Sequence, residues 1–239
     1  MKRIITLTSF LIRDLSRSLA AIVPLASTLA FGLIAFEYGM DQAQFFVVAG
    51  VGTGTICLIT VLLLASRANR ASSYLLIARL QQRSELLAAL TLSGPAITAA
   101  LALLVTAGNL VAGRLTLDFP SALWILPTWL PVWILTATLA LALSGLVGRG
   151  GSHLVGYALL AGLLIASDRK AFLIRHGMEW LSQTIGTILW PVSTLLERAS
   201  VASHGRDYFL AWTLTWAYAV LLYALAAALF KGKDLLWSE

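Results

Sequence analysis

The sequence predicts an all-α, polytopic membrane protein with six transmembrane helices. Three observations predict it. Hydrophobic residues make up 59% of the 239-residue chain and charged residues only 12%, about half the charged share of an ordinary soluble domain. Long uncharged runs recur, most reaching the roughly 18 residues that a membrane-crossing helix needs. Lysine and arginine gather in alternate connecting segments, the pattern that separates cytoplasmic from outer loops. The spans fall at about 19–37, 43–66, 86–113, 120–148, 151–167 and 208–230 of a single transmembrane domain. The fifth is the shortest and contains His153.

Residues 1–18 read as an amphipathic helix. Ile4, Leu7, Leu11 and Leu15 recur at three- and four-residue steps, with Thr6, Ser9, Arg13 and Arg17 turned away. Such a helix is expected to lie in the membrane interface, apolar side down. The first run could instead belong to a cleaved signal peptide, since Lys2 and Arg3 supply a basic start. Arg13, Asp14 and Arg17 make too long a charged lead-in for that, and retention as a true span is the stronger reading.

The second span carries "GVGTGTIC", Gly50–Cys57. It lacks the Gly-Lys-Ser/Thr ending of a phosphate-cradling loop and sits inside an apolar run. Gly50 and Gly54 read better as a small-xxx-small pair that admits a neighbouring helix. Cys57 is the only cysteine, so no intrachain disulfide and no cysteine-based metal cluster is expected.

Residues 66–85, "SRANRASSYLLIARLQQRSE", join the second and third spans. This is far longer and more basic than a simple turn. Ser72 and Ser73 are suited to cap a helix starting near Tyr74, with Leu75, Leu76, Ala78 and Leu80 apolar. Arg79 and Arg83, four apart, share one face, and Glu85 closes the segment. The plain alternative is a basic topology anchor lying on the membrane, for which four arginines suffice without an ordered twenty-residue insert.

The fourth span bears Trp124, Trp129 and Trp133 with Pro127 and Pro131, and the sixth bears Tyr208, Trp212 and Trp216. Their outer placement suits an aromatic belt. Trp129, Trp133, Trp212 and Trp216 lining a passage for an amphipathic cargo is the second reading. Between these spans, 168–207 is an outer loop whose apolar pieces, Phe172–Ile174 and Ile185–Leu196, are too short to cross and read as re-entrant or interfacial helices. Glu37–Asp41 and Arg114–Asp118 are short outer turns.

With both termini cytoplasmic, the inside segments hold eleven basic residues and the outside segments six, while the acids divide four inside and seven outside. The net charge of +6 then reflects topology and anionic headgroups, and calls for no nucleic acid. Enzymatic motifs are weak. The nearest approach to an intramembrane serine protease is "ALSG", Ala142–Gly145, without the first glycine. His153 follows at a loop position, and His176 and His204 lie outside. No charged residue falls clearly inside a span, which argues against a proton relay. No catalytic residue and no metal ligand set is expected.

The order of these elements resembles the ABC-2 type of ABC transporter permease. "SSYLLIARLQQRSELLAAL" is similar to that family's coupling segment, in which an "LL-x-x-R-x-x-x-R" pattern precedes the third span. "LFKGKDLL", Leu229–Leu236, resembles its short basic tail. The family often has an acid and a glycine ahead of the pattern and a proline within it; here Asn69-Arg70-Ala71 and Leu80 stand there. The resemblance implies an inner-membrane permease that pairs with a second permease chain as homodimer or heterodimer. It also implies a separate cytoplasmic ATPase subunit that binds ATP and Mg. The cargo moved outward would be lipid-like, glycan, drug, peptide or haem-related. Contact with the ATPase would fall to Arg70, Ser72, Ser73, Tyr74, Arg79, Arg83 and Glu85. The alternative is a structural or assembly subunit of a larger membrane complex, with a permease-like fold and no transport of its own.

Overall fold

The structure is a computed structural model that describes residues 2–69, 83–147 and 179–231. In chain order its elements are α1 (Lys2–Ser16), a 3-10 turn (Leu19–Ala21), α2 (Ile22–Tyr38), α3 (Gln42–Ala68), α4 (Arg83–Val111), α5 (Phe119–Leu143), α6 (Glu179–Ser200) and α7 (Arg206–Lys231). Five stretches, Leu19–Glu37, Gln42–Ala68, Ser84–Val111, Phe119–Leu143 and Arg206–Lys231, are helices long and apolar enough to cross a membrane. The chain is an all-α integral membrane protein. The expected span at 151–167, the piece Phe172–Ile174 and most of the coupling segment, residues 70–82, lie outside the described residues.

Local chemistry sets the helix ends. Gly39 closes α2 at φ 62, a left-handed backbone that suits a residue without Cβ. Asp41 caps α3, its carboxylate accepting from Gln44 N at 2.7 Å. With 27 residues, α3 is about 40 Å long at about 1.5 Å per residue. That exceeds a hydrocarbon core of about 30 Å, so its last turn, with Arg67, reaches beyond the apolar layer. The fourth span stops short of the expected residue 148. Ser144 turns extended at ψ 150, and its hydroxyl takes Leu141 O at 2.7 Å. Serine competes here for the helix's own carbonyl, and Gly145 follows.

Helix directions are fixed by contacts between turns. Met40 N donates to Arg114 O and Gln42 Nε2 to Ser121 Oγ, so the α2–α3 and α4–α5 connections share one end of the bundle. Thr128 and Tyr208 hydroxyls lie 3.0 Å apart, bringing the third turn of α5 beside the first turn of α7 in that same half of the bundle. At the opposite end Tyr223 Oη donates to Ser84 O, joining the later half of α7 to the start of α4. Helices α5 and α7 therefore run the same way, side by side.

Two expected elements take a different form. The region around Ile185–Leu196 belongs to one helix of 22 residues, α6, longer than the short re-entrant or interfacial pieces expected. Leu195, Leu196 and Ala199 are buried while Trp180, Ile188 and Trp190 are exposed, so one edge of α6 is held against α3 and α7. The apolar stripe of α1 also points into protein. Leu7, Leu11 and Leu15 are buried and α1 packs along α4. A stripe at three- and four-residue spacing fits the surface of a neighbouring helix as well as it fits a membrane. The large apolar residues of α1 that stay exposed are Ile5 and Phe10.

Small residues bring α3 close to its neighbours. A Cβ on Gly94 of α4 would overlap Val61 Cγ2 and lie 3.3 Å from Cys57 Sγ. One on Gly52 would meet the Phe31 ring at 2.5 Å. On Gly50 it would come within 2.6 Å of Leu196 Cδ2 and 3.1 Å of Trp129 Nε1, whereas on Gly54 the closest atom is Val132 Cγ1 at an ordinary 3.4 Å. Gly50 and Gly54 thus both face α5, but only Gly50 is crowded. In lipid, close van der Waals packing through such residues substitutes for the missing hydrophobic drive between helices.

Candidate functional site

One end of the bundle is strongly basic. It gathers Arg67 at the foot of α3, Arg83 at the head of α4, Lys231 at the foot of α7, and α1 with Lys2, Arg3 and Arg13, followed by Arg17. Asp14 and Glu85 are the acids there. The far end holds Arg114, Arg198 and Arg206 against Glu37, Asp41, Asp118, Glu197 and Asp207. Residues 70–82 span the gap between α3 and α4 at the basic end. Arg70, Ser72, Ser73, Tyr74 and Arg79 thus lie outside the described residues, though both of their anchor points are described. Arg83 and Glu85 fall in the first turn of α4 itself, continuous with the third span.

An ion pair fixes α1 to this end. Arg67 reaches Asp14 Oδ2 with Nη2 at 2.7 Å and Nε at 3.1 Å. Asp14 is the only acid in the first 36 residues, which is the sequence signal that could have found it. Arg67 is 25% and Asp14 43% exposed in the side chain, so the pair contributes about 1 kcal/mol. We expect Asp14→Asn to lower thermal stability by that order, with a salt-sensitive wild-type value. The reciprocal swap Asp14→Arg/Arg67→Asp should recover most of the loss in a detergent melting assay. Failure of the swap to recover would mean that the buried leucines alone hold α1.

Glu85 adds a second feature. An acid in the first turn of a helix is favoured by the helix dipole. Its Oε2 is buried and has no hydrogen-bond partner among the described residues, a costly state for a carboxylate oxygen. It stands one residue from Ser84, whose carbonyl accepts from Tyr223. The start of α4 is thereby tied to α7 on one side and continues into residues 70–82 on the other.

The tryptophans that could have formed a belt or line a passage divide in two. Trp129 and Trp133 are 1% and 2% exposed and are committed to α3. Trp129 Nε1 donates to Phe46 O at 3.2 Å, in the space left by the missing side chain of Gly50. Trp133 Nε1 donates to Thr53 Oγ1 at 2.9 Å. Both are buried inside the bundle, whereas a belt would place them on its outer surface. Trp212 is half-buried at the rim, and its Nε1 donates to Pro127 O at 3.1 Å. Pro131 has no N–H to bond that carbonyl, so the indole satisfies a group that the proline leaves open. Trp216 meets Trp212 edge-on at 6.0 Å, and its own Nε1 is buried without a partner among the described residues.

At the far end an ion pair closes the turn between α6 and α7. Arg198 pairs with Asp207 at 2.8 Å beside a cleft of about 440 Å³ bordered by Trp190 and Glu197. His204 stacks on Trp124 at 3.8 Å and meets Tyr208 edge-on at 5.0 Å. Partial burial pushes the His204 imidazole below its ordinary value, so the neutral ring is the form that stacks at neutral pH. Among the described residues no three His, Cys, Asp or Glu side chains gather as metal ligands. No family model, curated protein or solved structure matches this chain.

Proposed function

We propose that this chain is the membrane subunit of an ABC-2 type exporter in the plasma (inner) membrane, driven by a separate cytoplasmic ATPase and working as one of a pair of permease chains. The observation that carries this reading is the basic end. Residues 70–82, with the family's arginine pattern, bridge α3 and α4 where those helices interlock through Gly94, Val61 and Cys57. Force applied to the bridge would reach both helices, because packed elements move as units and do not deform continuously. Helix α1, held by Asp14–Arg67, completes the platform.

The six-span topology draws support from helix direction. Helices α5 and α7 are parallel, so the chain has to return across the membrane between Leu143 and Arg206, which includes the expected span at 151–167. The charge difference between the two ends favours a cytoplasmic basic end, and hence both termini inside. Single cysteines at Ser16 and Val201, in a Cys57→Ala background, should label from opposite sides of sealed membranes, with Val201 reachable from outside. Labelling of both from one side would end the six-span reading.

The function is tested by purifying the chain from its native host in mild detergent and identifying its companions. A nucleotide-binding subunit at equal stoichiometry, with ATPase activity that responds to the permease, is the expected result. A large stable complex without ATPase activity would establish the structural or assembly role instead.

A further inference from the structure

Between α1, the elbow that follows it and the middle of α4 lies an apolar crevice of about 300 Å³. Ile12, Leu15 and Ser16 wall one side, Pro24 the second, and Ala96 and Ala100 the third. The two alanines are one turn apart on α4, just past Pro95, and their short side chains leave the hollow open. An apolar cavity of this kind does not hold water, which needs polar partners. Close by in the chain, Leu19 of the 3-10 turn and Ile22 at the start of α2 are apolar and 85% and 58% exposed.

The rim is basic. Arg13 and Arg17 follow directly on the lining residues Ile12 and Ser16, and both are exposed. Among the described residues the ion pair of α1 is Asp14 with Arg67, which leaves these two guanidinium groups facing outward. We infer that the crevice holds an acyl chain of an anionic phospholipid from the leaflet at the basic end, with its headgroup phosphate drawn to Arg13 and Arg17. Hydrocarbon fills the hollow that water cannot occupy, and the two arginines select the charge of the headgroup. The lipid would act as a wedge that sets the angle between α1 and the third span. The site depends on the membrane reading and on no transport activity, so it can fail while the permease proposal stands, and the reverse.

The test is native mass spectrometry of the full-length protein in mild detergent, with phosphatidylglycerol and phosphatidylcholine of identical chains supplied in turn. Wild type should retain one phosphatidylglycerol under activation that strips phosphatidylcholine. Ala100→Phe, which fills the hollow, should lose that retained lipid, whereas Leu103→Phe, on the 70% exposed face of the same helix, should keep it. Arg13→Gln/Arg17→Gln leaves the packing intact and should reduce the preference for phosphatidylglycerol about tenfold. Equal retention of the two lipids by wild type would overturn the inference. So would undiminished retention by Ala100→Phe, or loss of a chain–chain dimer in that variant, which would assign the crevice to a second copy.

Discussion

Gly94→Ala is expected to destabilise the protein more than any other single-methyl change in the bundle. The added Cβ would overlap Val61 Cγ2 and press on Cys57 Sγ. Val61 is fully buried and β-branched, so it has few rotamers into which to retreat. The helices must separate instead, at a cost of about 1–3 kcal/mol for overpacking. Gly50→Ala should fall lower in that range, because the nearest atom is the mobile end of Leu196, although Trp129 Nε1 stands close behind at 3.1 Å. Gly54→Ala should be nearly neutral, having ordinary contact distances. The measurement is the melting temperature of purified protein in detergent, with membrane yield as a second readout. A series in which Gly94→Ala and Gly54→Ala behave alike would refute the tight α3–α4 contact. Adding Val61→Ala to Gly94→Ala should restore part of the loss, since it removes the methyl that clashes.

Reversing charge at Arg79 and Arg83 is expected to release or silence the ATPase subunit of the proposed transporter while leaving membrane insertion intact. Arginine holds a carboxylate or carbonyl in a fixed orientation, which a merely sticky basic loop does not require. Breaking one partner of a desolvated interface pair costs about 2–5 kcal/mol, enough for a complex to fall apart on purification. An exposed pair contributes only about 0–1 kcal/mol, so the size of the loss separates a docking element from a surface anchor. Insertion survives because Arg67, Arg70 and α1 still mark the basic end. The comparison is copurified ATPase and its activity for Arg79→Glu/Arg83→Glu against Arg169→Glu/Lys170→Glu. Equal binding and activity in the two variants would reduce residues 66–85 to an anchor.

Glu85 ties these two results together. Its buried oxygen, without a hydrogen-bond partner among the described residues, sits at the head of α4, nine residues before Gly94. In the proposed transporter, movement passed on by residues 70–82 would reach Glu85 first and the α3–α4 contact next.

Much of the fold was legible in the sequence because apolar run length is a one-dimensional property. Any helix in hydrocarbon has to satisfy its backbone internally, so about twenty uncharged residues specify a span with little help from neighbours. The all-α class and five of the membrane-crossing helices followed from that alone, with boundaries off by a few residues wherever a capping side chain such as Ser144 intervened. The glycines at 50 and 54 signalled a packing face for the same reason.

What the run length cannot encode is which face meets what. The stripe Leu7, Leu11 and Leu15 satisfies a membrane surface and a helix surface equally; only the position of α4 sent it into protein. Trp129 and Trp133 read as belt residues from the sequence, yet the vacancy at Gly50 and the hydroxyl of Thr53 hold their indoles inside the bundle. Gly94 carries no spacing signal of its own in the sequence, and its importance exists only against Val61 on another helix. Composition and periodicity by themselves determined that this chain lives in a membrane as a bundle of helices. The tertiary structure alone decided its internal contacts, because those depend on distances between residues far apart in the chain.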